Sequence, residues 1–376
     1  MANTIIGVGN DLEIKKQCVA LAREIPRAMF WGTGNMGKGA DTNMPIMQIT
    51  DLEKNRGGQV TYQLRANLKM APVYGDDRVT GRTGKLDFFT DTLKIEQVRQ
   101  GVECGGKMAQ QRTVYDLRKE GRLALTDYFS NLFDEYGMCY ASGIRGSNDD
   151  YILPTGFTGF GDNTIAAPDS THHKVSVVAN ATNTTITTLA TGDIAAISEI
   201  DRLVTISNEM GNLTTGNSSM QPIMIEGGEH FLYVMSPRSE SDIRTATGEA
   251  GWLMIQKYLA SQLGNKSPLV QGGCGMHNNV VFKVSKKIPK LAASTSYNSV
   301  TMAALPGCRN LFLGRQALTY AYGSAGGATR YNWVEKLEDG DNIFVVIAGT
   351  IVGIKKTTFN GYDFGIIAHD CAAAAV

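Results

Sequence analysis

Residues 57–142 read GGQVTYQLRANLKMAPVYGDDRVTGRTGKLDFFTDTLKIEQVRQGVECGGKMAQQRTVYDLRKEGRLALTDYFSNLFDEYGMCYAS, and the order of patterns within them decides the fold. From Val60 to Leu68 the text alternates Val60, Tyr62 and Leu64 with Thr61, Gln63 and Arg65, the signature of a half-buried strand. KMAPVYGDDRVTGRTGK follows, with Pro72 and three glycines among charges, and no core can be built from it. The return segment, Leu86 to Val98, is again strand-like. The two runs predict a long hairpin with a polar tip. An isolated hairpin is marginal in water, so such an arm is expected to lie on a partner.

Beyond the hairpin, Gly101, Gly105 and Gly106 read as a flexible joint, and the text from Thr113 to Tyr140 reads as one helix, roughly 40 Å long at the standard rise. Thr113 with Asp116 fits a capping signature, and Gly143 is a stop. Val114, Leu117, Leu125, Tyr128 and Leu132 form one apolar stripe. The opposite face carries Arg118, Lys119 and Arg122 early and Asp127, Asp134 and Glu135 late, against the sense of the helix dipole. Two readings fit this: a solvated face on which such small effects do not matter, or charges that meet opposite charges on neighbouring subunits.

The same residues carry a family resemblance. GGQVTYQLRANL and LKIEQVRQGVECGGKMAQQRTVYDLRKEGRLALTDYF resemble, in this order, the major capsid proteins of the N-four-type short-tailed phages. HFLYVMSP, NLFLGRQAL and IFVVIAGTIVGIKKTTFNGYDFGIIA in the C-terminal half fit the same pattern. The resemblance implies an α+β chain with the tailed-phage capsid fold, also called the Johnson or Hong Kong ninety-seven fold. Its parts would be an N-terminal arm (1–57) strapping a neighbour and an extended hairpin loop (58–100). A peripheral domain (101–210) with the spine helix (113–140), an axial domain (211–346) and returning C-terminal strands (347–376) would follow. It further implies pentamers and hexamers that tile an icosahedral shell around packaged DNA, in a virion assembled in the bacterial cytoplasm. Portal and scaffolding or decoration proteins would be the other partners, with no membrane, cofactor or catalytic residue. On this resemblance the hairpin reaches over the adjacent subunit, and Tyr74, Asp76, Asp77, Arg78 and Arg82 at its tip make polar contacts there. Arg118, Lys119 and Arg122 are the further inter-subunit candidates.

Composition agrees. The 376 residues suffice for a sizeable core. Lys plus Arg and Asp plus Glu are 36 each, so the formal net charge is zero. A dedicated nucleic-acid binder would carry a basic excess, whereas a neutral subunit suffers little mutual repulsion in a crowded assembly. Only 19% of residues are charged, which suits a surface buried against partners. MANTIIGVGNDLEIKK has no basic start followed by an apolar run, so no signal peptide is expected. The longest apolar run, Ile343 to Ile354, is too short for a membrane span and is expected to be strand, tight bend and strand. Six cysteines without paired spacing suit free thiols in a reducing compartment.

The rest of the chain reads as a mixture of helices and strands without regular alternation. A short helix is expected over 11–22. A polar surface excursion follows over 154–192, with a hairpin-like run over 174–190. Thr191 should cap a helix from Asp193 to about Met210, and a further helix should run over 239–264 with Trp252, Ile255 and Leu259 inward. Strands are expected at 230–237, at 278–289 and at 308–323, the last followed by a helical turn.

Several motifs suggest chemistry. Gly32 to Gly39, GTGNMGKG, approaches a phosphate loop, but that use needs a buried strand before it and a helix after it, and Pro26 and Pro45 flank it instead. Cys274 with His277 lacks a second ligand pair at metal spacing, and the adjacent His172 and His173 would point to opposite faces of a strand. Asp76/Asp77 and Asp149/Asp150 lie in solvated text, where nothing separates two carboxyl pKa values for acid–base work. The alternatives to a capsid protein are another virion component, such as a tail-tube or decoration protein, and a nucleotide-binding enzyme resting on Gly32–Gly39 alone.

Overall fold

The structure, a computed structural model, describes residues 11–373 apart from 33, 40, 54–55, 66–69, 182–184, 212–219, 226, 247–274, 298–299, 303–304 and 325–329. In chain order its main elements begin with α1 (Asp11–Ala28), β1 (Met36–Lys38), β2 (Ile46–Ile49), β3 (Gln59–Arg65) and β4 (Phe88–Lys94). Next come β5 (Glu96–Gly106), α2 (Lys107–Arg112), α3 (Leu117–Ser142), β6 (His173–Val175), α4 (Ile197–Glu209), β7 (Gly228–Met235) and α5 (Pro237–Thr245). The last are β8 (Gly275–His277), β9 (Val280–Val284), β10 (Gly307–Leu313), β11 (Leu318–Gly323), β12 (Tyr331–Glu338), β13 (Ile343–Lys356) and β14 (Ile366–Ala372).

Two sheets flank the long helix. A six-stranded sheet has the order β1-β2-β11-β13-β12, with β5 pairing with β13 as well. An eight-stranded sheet has the order β8-β9-β7-β10-β14-β6, completed by two short strands. One contiguous apolar cluster joins them through α1 and α3: Leu21, Ile25 and Trp31 meet Phe129, Phe133 and Tyr140, and the cluster continues into Val346, Ile354, Leu311 and Phe312.

The N-terminal stretch is not a loose arm from Asp11 onward. α1 lays Cys18, Leu21 and Ile25 into the core, and β1 and β2 run parallel to each other, with β2 parallel to β11. The expected glycine joint is also absent, because Gly101, Gly105 and Gly106 lie within β5, antiparallel to β13.

β13 is one continuous strand of 14 residues and not strand, bend and strand, so the division expected at 346/347 cuts through it. Its glycines serve close packing: a Cβ at Gly353 would sit 2.2 Å from the Lys94 carbonyl oxygen. CRNLFLGRQALTYAYG is two strands in different sheets, with no helical turn; Gln316, at φ 56, sits in the connection.

The stretch 154–192 is laced into the body, and its hairpin is a short one, Gly159–Phe160 against Asn163–Thr164, while no hairpin forms among the described residues of 174–190. β6 pairs parallel to β14, and Ile186 and Leu189 are buried with Val175 and Leu291. α4 starts at Ile197 with Ala196 as an N-cap that offers no side chain, so Thr191 does not cap it. Asp193 instead accepts backbone N–H bonds from Ala179, Asn180 and Ala190, which closes the preceding loop. Ile197, Ile200 and Leu203 face inward as the sequence predicts. At the start of α5, Ser236 is the N-cap and Pro237 the first helical residue. Trp252, Ile255, Leu259 and Cys274 lie outside the described residues.

α3 begins at Leu117 and not Thr113. Asp116 is its N-cap, accepting from the N–H groups of Arg118 and Lys119, while Thr113 ends α2. Gly143 terminates α3 in the left-handed conformation at φ 72, where a residue without Cβ is least strained. Of the late anions, Asp127 is exposed, but Asp134 and Glu135 are buried and not on a solvated face. Asp134 accepts from the backbone N–H of Phe30 at 2.8 Å and of Trp31 at 3.2 Å. Glu135 is fully buried, accepts from the N–H groups of Ile152 and Leu153, and pairs with Lys287 at 2.8 Å. These carboxylates tie the segments before and after α3 to its buried half.

Burial pushes the Asp134 carboxyl up to about 6 against the pull of its two backbone donors. A carboxyl whose folded pKa is raised contributes stability that is present below its unfolded pKa of about 3.9 and is lost as the pH climbs through the folded value. The loss between pH 4 and 7 is on the order of 2–3 kcal/mol for this residue. Asp134→Asn keeps an acceptor without the charge, so its urea-unfolding stability should vary less between pH 4 and 7 than that of the unsubstituted chain. An unchanged pH slope would contradict this account of Asp134.

Candidate assembly surfaces

β3 and β4 pair in register from Gln59↔Lys94 to Arg65↔Phe88. Their inner face, with Tyr62 and Leu93 buried and Val60, Leu64 and Phe89 half-buried, packs on Met47, Ile49, Phe359 and Phe364. A polar bolt fixes this root. The Tyr62 hydroxyl donates to Asp91 at 2.7 Å, Lys355 pairs with Asp91, and the Thr358 N–H donates to it at 3.2 Å. Asn163 brackets the far end, accepting from the Lys94 N–H and donating to the Lys94 carbonyl. The hairpin therefore leaves the body from a rigid base.

Beyond the base the chain has little support of its own. From Met70 to Phe88 nearly every residue is exposed. The tip is shaped locally: the Asp77 N–H donates to the Tyr74 carbonyl, the Arg82 N–H to the Val79 carbonyl, and Arg82 pairs with Asp77 at 3.2 Å in solvent. Tyr74, Asp76, Asp77, Arg78 and Arg82, singled out from the sequence, lie together on this projection, and Tyr74 is 77% exposed. Met70, Val79, Leu86 and Phe88, four large apolar side chains not among the candidates from the sequence, are exposed on the same projection. Their presence in an otherwise charged run was the available signal.

A second exposed area lies at the elbow between α2 and α3. α2 buries none of its residues. Met108, Val114 (99% exposed) and Tyr115 stand out from it near the exposed Leu337. A cleft of about 370 Å³ opens here, lined by Lys107, Gln110, Tyr115, Asp116, Arg118 and Leu337 among others. Val114 is thus a surface residue and not part of the core stripe.

The cations of α3 divide. Lys119 is exposed, its backbone N–H held by Asp116. Arg118 is paired with Glu335, which also accepts from the Trp333 indole at 2.6 Å. Arg122 pairs with Glu24 of α1 at 2.7 Å. The charges of Arg118 and Arg122 are answered within the chain, which the sequence could not show because Glu335 and Glu24 lie far away along it.

The motifs that suggested chemistry resolve into structure. Gly37 and Lys38 lie in β1, with no helix following, so the run after Trp31 lacks the strand–loop–helix geometry of a phosphate loop. His277 sits at the end of β8 with Nε2 3.0 Å from Asp201. His172 and His173 contact Asp169 and Asp370. Among the described residues no group of three or more His, Cys, Asp or Glu side chains is placed to hold a metal ion, and no helix is long and apolar enough to cross a membrane.

Comparison with known proteins converges on one class. Residues 5–375 match the family model described as phage capsid protein. The chain is 24% identical over 360 residues to the major capsid protein of Pseudomonas phage KPP25, covering 89% of each. Its fold is similar to that in the capsid of Ralstonia phage GP4, with a TM-score of 0.83 and 36% identity, covering 100% of this chain and 99% of that one. The cyanophage Pam1 capsid shares the fold at a TM-score of 0.66 and 19% identity, covering 90% and 91%.

Proposed function

The chain belongs to the phage capsid protein family, and from that premise we propose how it builds a shell. It is a major capsid protein with the tailed-phage capsid fold, a structural component of the virion and not an enzyme. Its work is self-association. We assign the finer steps as follows. Subunits gather as pentamers and hexamers, close into an icosahedral shell and enclose DNA without reading its sequence. Assembly takes place in the bacterial cytoplasm, with portal and scaffolding or decoration proteins as further partners.

The observation that carries this reading is the exposed projection from Met70 to Phe88 on its bolted base. It reaches over an adjacent subunit, where Met70, Tyr74, Val79, Leu86 and Phe88 lose water and Asp76, Asp77, Arg78 and Arg82 make polar contacts. Fully burying one large apolar side chain contributes about 1.5–3 kcal/mol, whereas an exposed ion pair contributes at most about 1 kcal/mol. The apolar residues therefore supply most of the contact energy and the charges its register. Lys119 and the elbow residues Val114 and Tyr115 complete the contact set. Repetition makes each added contact effectively intramolecular, so a closed shell outlasts any one contact.

Electron microscopy of the expressed protein tests the reading. Closed shells of uniform size are expected; tubes or dispersed monomers under all assembly conditions would overturn it.

A further inference from the structure

At the end of β13, away from the hairpin tip, a lysine and an aspartate are buried face to face. Lys356 Nζ lies 2.7 Å from Asp363 Oδ1 and 2.8 Å from Oδ2, and both side chains are almost entirely inaccessible. The two residues are fixed by backbone pairing, since Thr358–Phe359 and Tyr362–Asp363 form a short antiparallel hairpin directly after β13. Two backbone groups flank the pair. The Ala167 carbonyl accepts from Lys356 Nζ at 3.3 Å, and the Asp169 N–H donates to Asp363 Oδ2 at 3.4 Å. A second carboxylate stands behind them. Asp169 accepts from the Asp363 N–H at 2.8 Å, from the N–H groups of Thr171 and His172, and faces the His172 ring at 2.8 Å.

We propose that Lys356 and Asp363 join in an intrachain isopeptide bond, formed without an added reagent once the chain has folded. A bond forms between Lys356 Nζ and Asp363 Cγ, and the bond from Cγ to one carboxyl oxygen breaks. That oxygen leaves as water with two protons that began on the ammonium, so atoms and charge balance and no oxidant or cofactor takes part. The reaction needs the neutral amine and the neutral acid. Burial favours both: it lowers the Lys356 pKa, although Asp363 opposes it, and raises that of Asp363, although Lys356 opposes it. Proton transfer between them then removes two charges from a dry site, where an ion pair is costly.

The flanking groups match the transition state and the product. The Asp169 N–H points at the oxygen on which negative charge develops as nitrogen adds to Cγ. In the amide, the new N–H is left facing the Ala167 carbonyl and the remaining oxygen faces the Asp169 N–H, so both polar atoms of the product have partners. The Asp169 carboxylate is a positioning residue, holding the Asp363 backbone and, by its negative charge, favouring the protonated Asp363. Its own pKa, which burial would raise, is brought to about 2 chiefly by its bond to His172, whereas burial raises that of Asp363.

This inference does not depend on shell assembly and is tested by mass spectrometry of the purified full-length chain, fresh and after prolonged storage. The bond makes the chain lighter by one water. The amide removes the cationic side chain that trypsin recognises, so trypsin should leave Lys356 uncleaved; no Lys or Arg follows it, so residues 356–376 should stay in one peptide, with no fragment ions arising between Lys356 and Asp363. Lys356→Arg should restore the full mass, and Asp363→Asn should react with loss of ammonia in place of water. Asp169→Ala, in protein shown to be folded by circular dichroism, should lower the bonded fraction several-fold. Unmodified mass in fresh and stored protein, with trypsin cutting after Lys356, would leave the pair as a buried ion pair and overturn the proposal.

Discussion

Deleting Met70 to Arg82 should yield a soluble, folded monomer that cannot close into shells. The removed residues are nearly all exposed, and their hydrogen bonds are local turns at the tip. What holds the hairpin to the body lies outside the deletion: the β3–β4 register, the apolar face on Met47, Ile49 and Phe359, and the Asp91 bolt. Shortening a surface loop changes its closure entropy only slightly. The melting temperature of the unassembled chain should therefore stay within a few degrees of its original value. The assembled state responds differently, because the deletion removes Met70, Tyr74 and Val79 from every copy of the proposed contact. Gel filtration should show a single monomer peak and microscopy no closed particles. Shells of normal size from the deleted protein would reject the role given to the hairpin.

The hairpin was legible because its signals are local. Two alternating runs around a charged, glycine-rich tip can mean little else, and the end of α3 at Gly143 likewise depends on nearby chemistry. The misread parts share a different cause. Thr113 looked like a cap because capping motifs are short and common, and only the fold places Asp116 at the first turn. Asp134 and Glu135 looked solvated because charge is usually exposed, and their partners at Phe30, Trp31 and Lys287 are remote in sequence. Gly349 and Gly353 looked like a bend because glycine breaks strands as often as it permits close approach, and the neighbour that decides the matter at Gly353 is Lys94, on a different strand. The same limit applies to the candidate surface. Tyr74, Asp76, Asp77, Arg78 and Arg82 are candidates by their local character alone, while Arg118 and Arg122 read as free charges because Glu335 and Glu24 lie far away in the sequence.

Asp370→Ala should be the most damaging single substitution among those that leave the proposed contacts untouched. Arg309 and Asp370 are register partners on β10 and β14. The guanidinium meets the carboxylate with two bonds, Nε to Oδ1 at 2.6 Å and a terminal nitrogen to Oδ2 at 2.7 Å, with both side chains buried. The other terminal nitrogen of Arg309 donates to the Ser142 carbonyl at the C-terminus of α3, where positive charge is favourable. His173 of β6 lies 2.6 Å from Asp370 Oδ2. The cluster thus joins the eight-stranded sheet, the long helix and the laced stretch before α4. Removing the carboxylate strands a buried guanidinium, at a cost of about 3–5 kcal/mol, a large share of the roughly 5–15 kcal/mol that folded domains possess. Urea unfolding of the unassembled chain measures this, and a change below about 1 kcal/mol would refute it. Replacing both partners, Arg309→Met with Asp370→Leu, should recover most of the loss, because no charge is then left unpaired. The pH dependence has a definite sign. Burial alone would raise the Asp370 carboxyl, but Arg309 holds it well below the usual carboxylate range. A depressed group contributes stability that is present above its unfolded pKa of about 3.9 and is lost only as the pH falls toward its folded value. Measured in a His173→Gln background, which removes the titratable imidazole beside it, the penalty of Asp370→Ala should therefore be the same at pH 7 and pH 5. The Asp134 contribution changes over that same interval, so the pH response separates the two buried carboxylates.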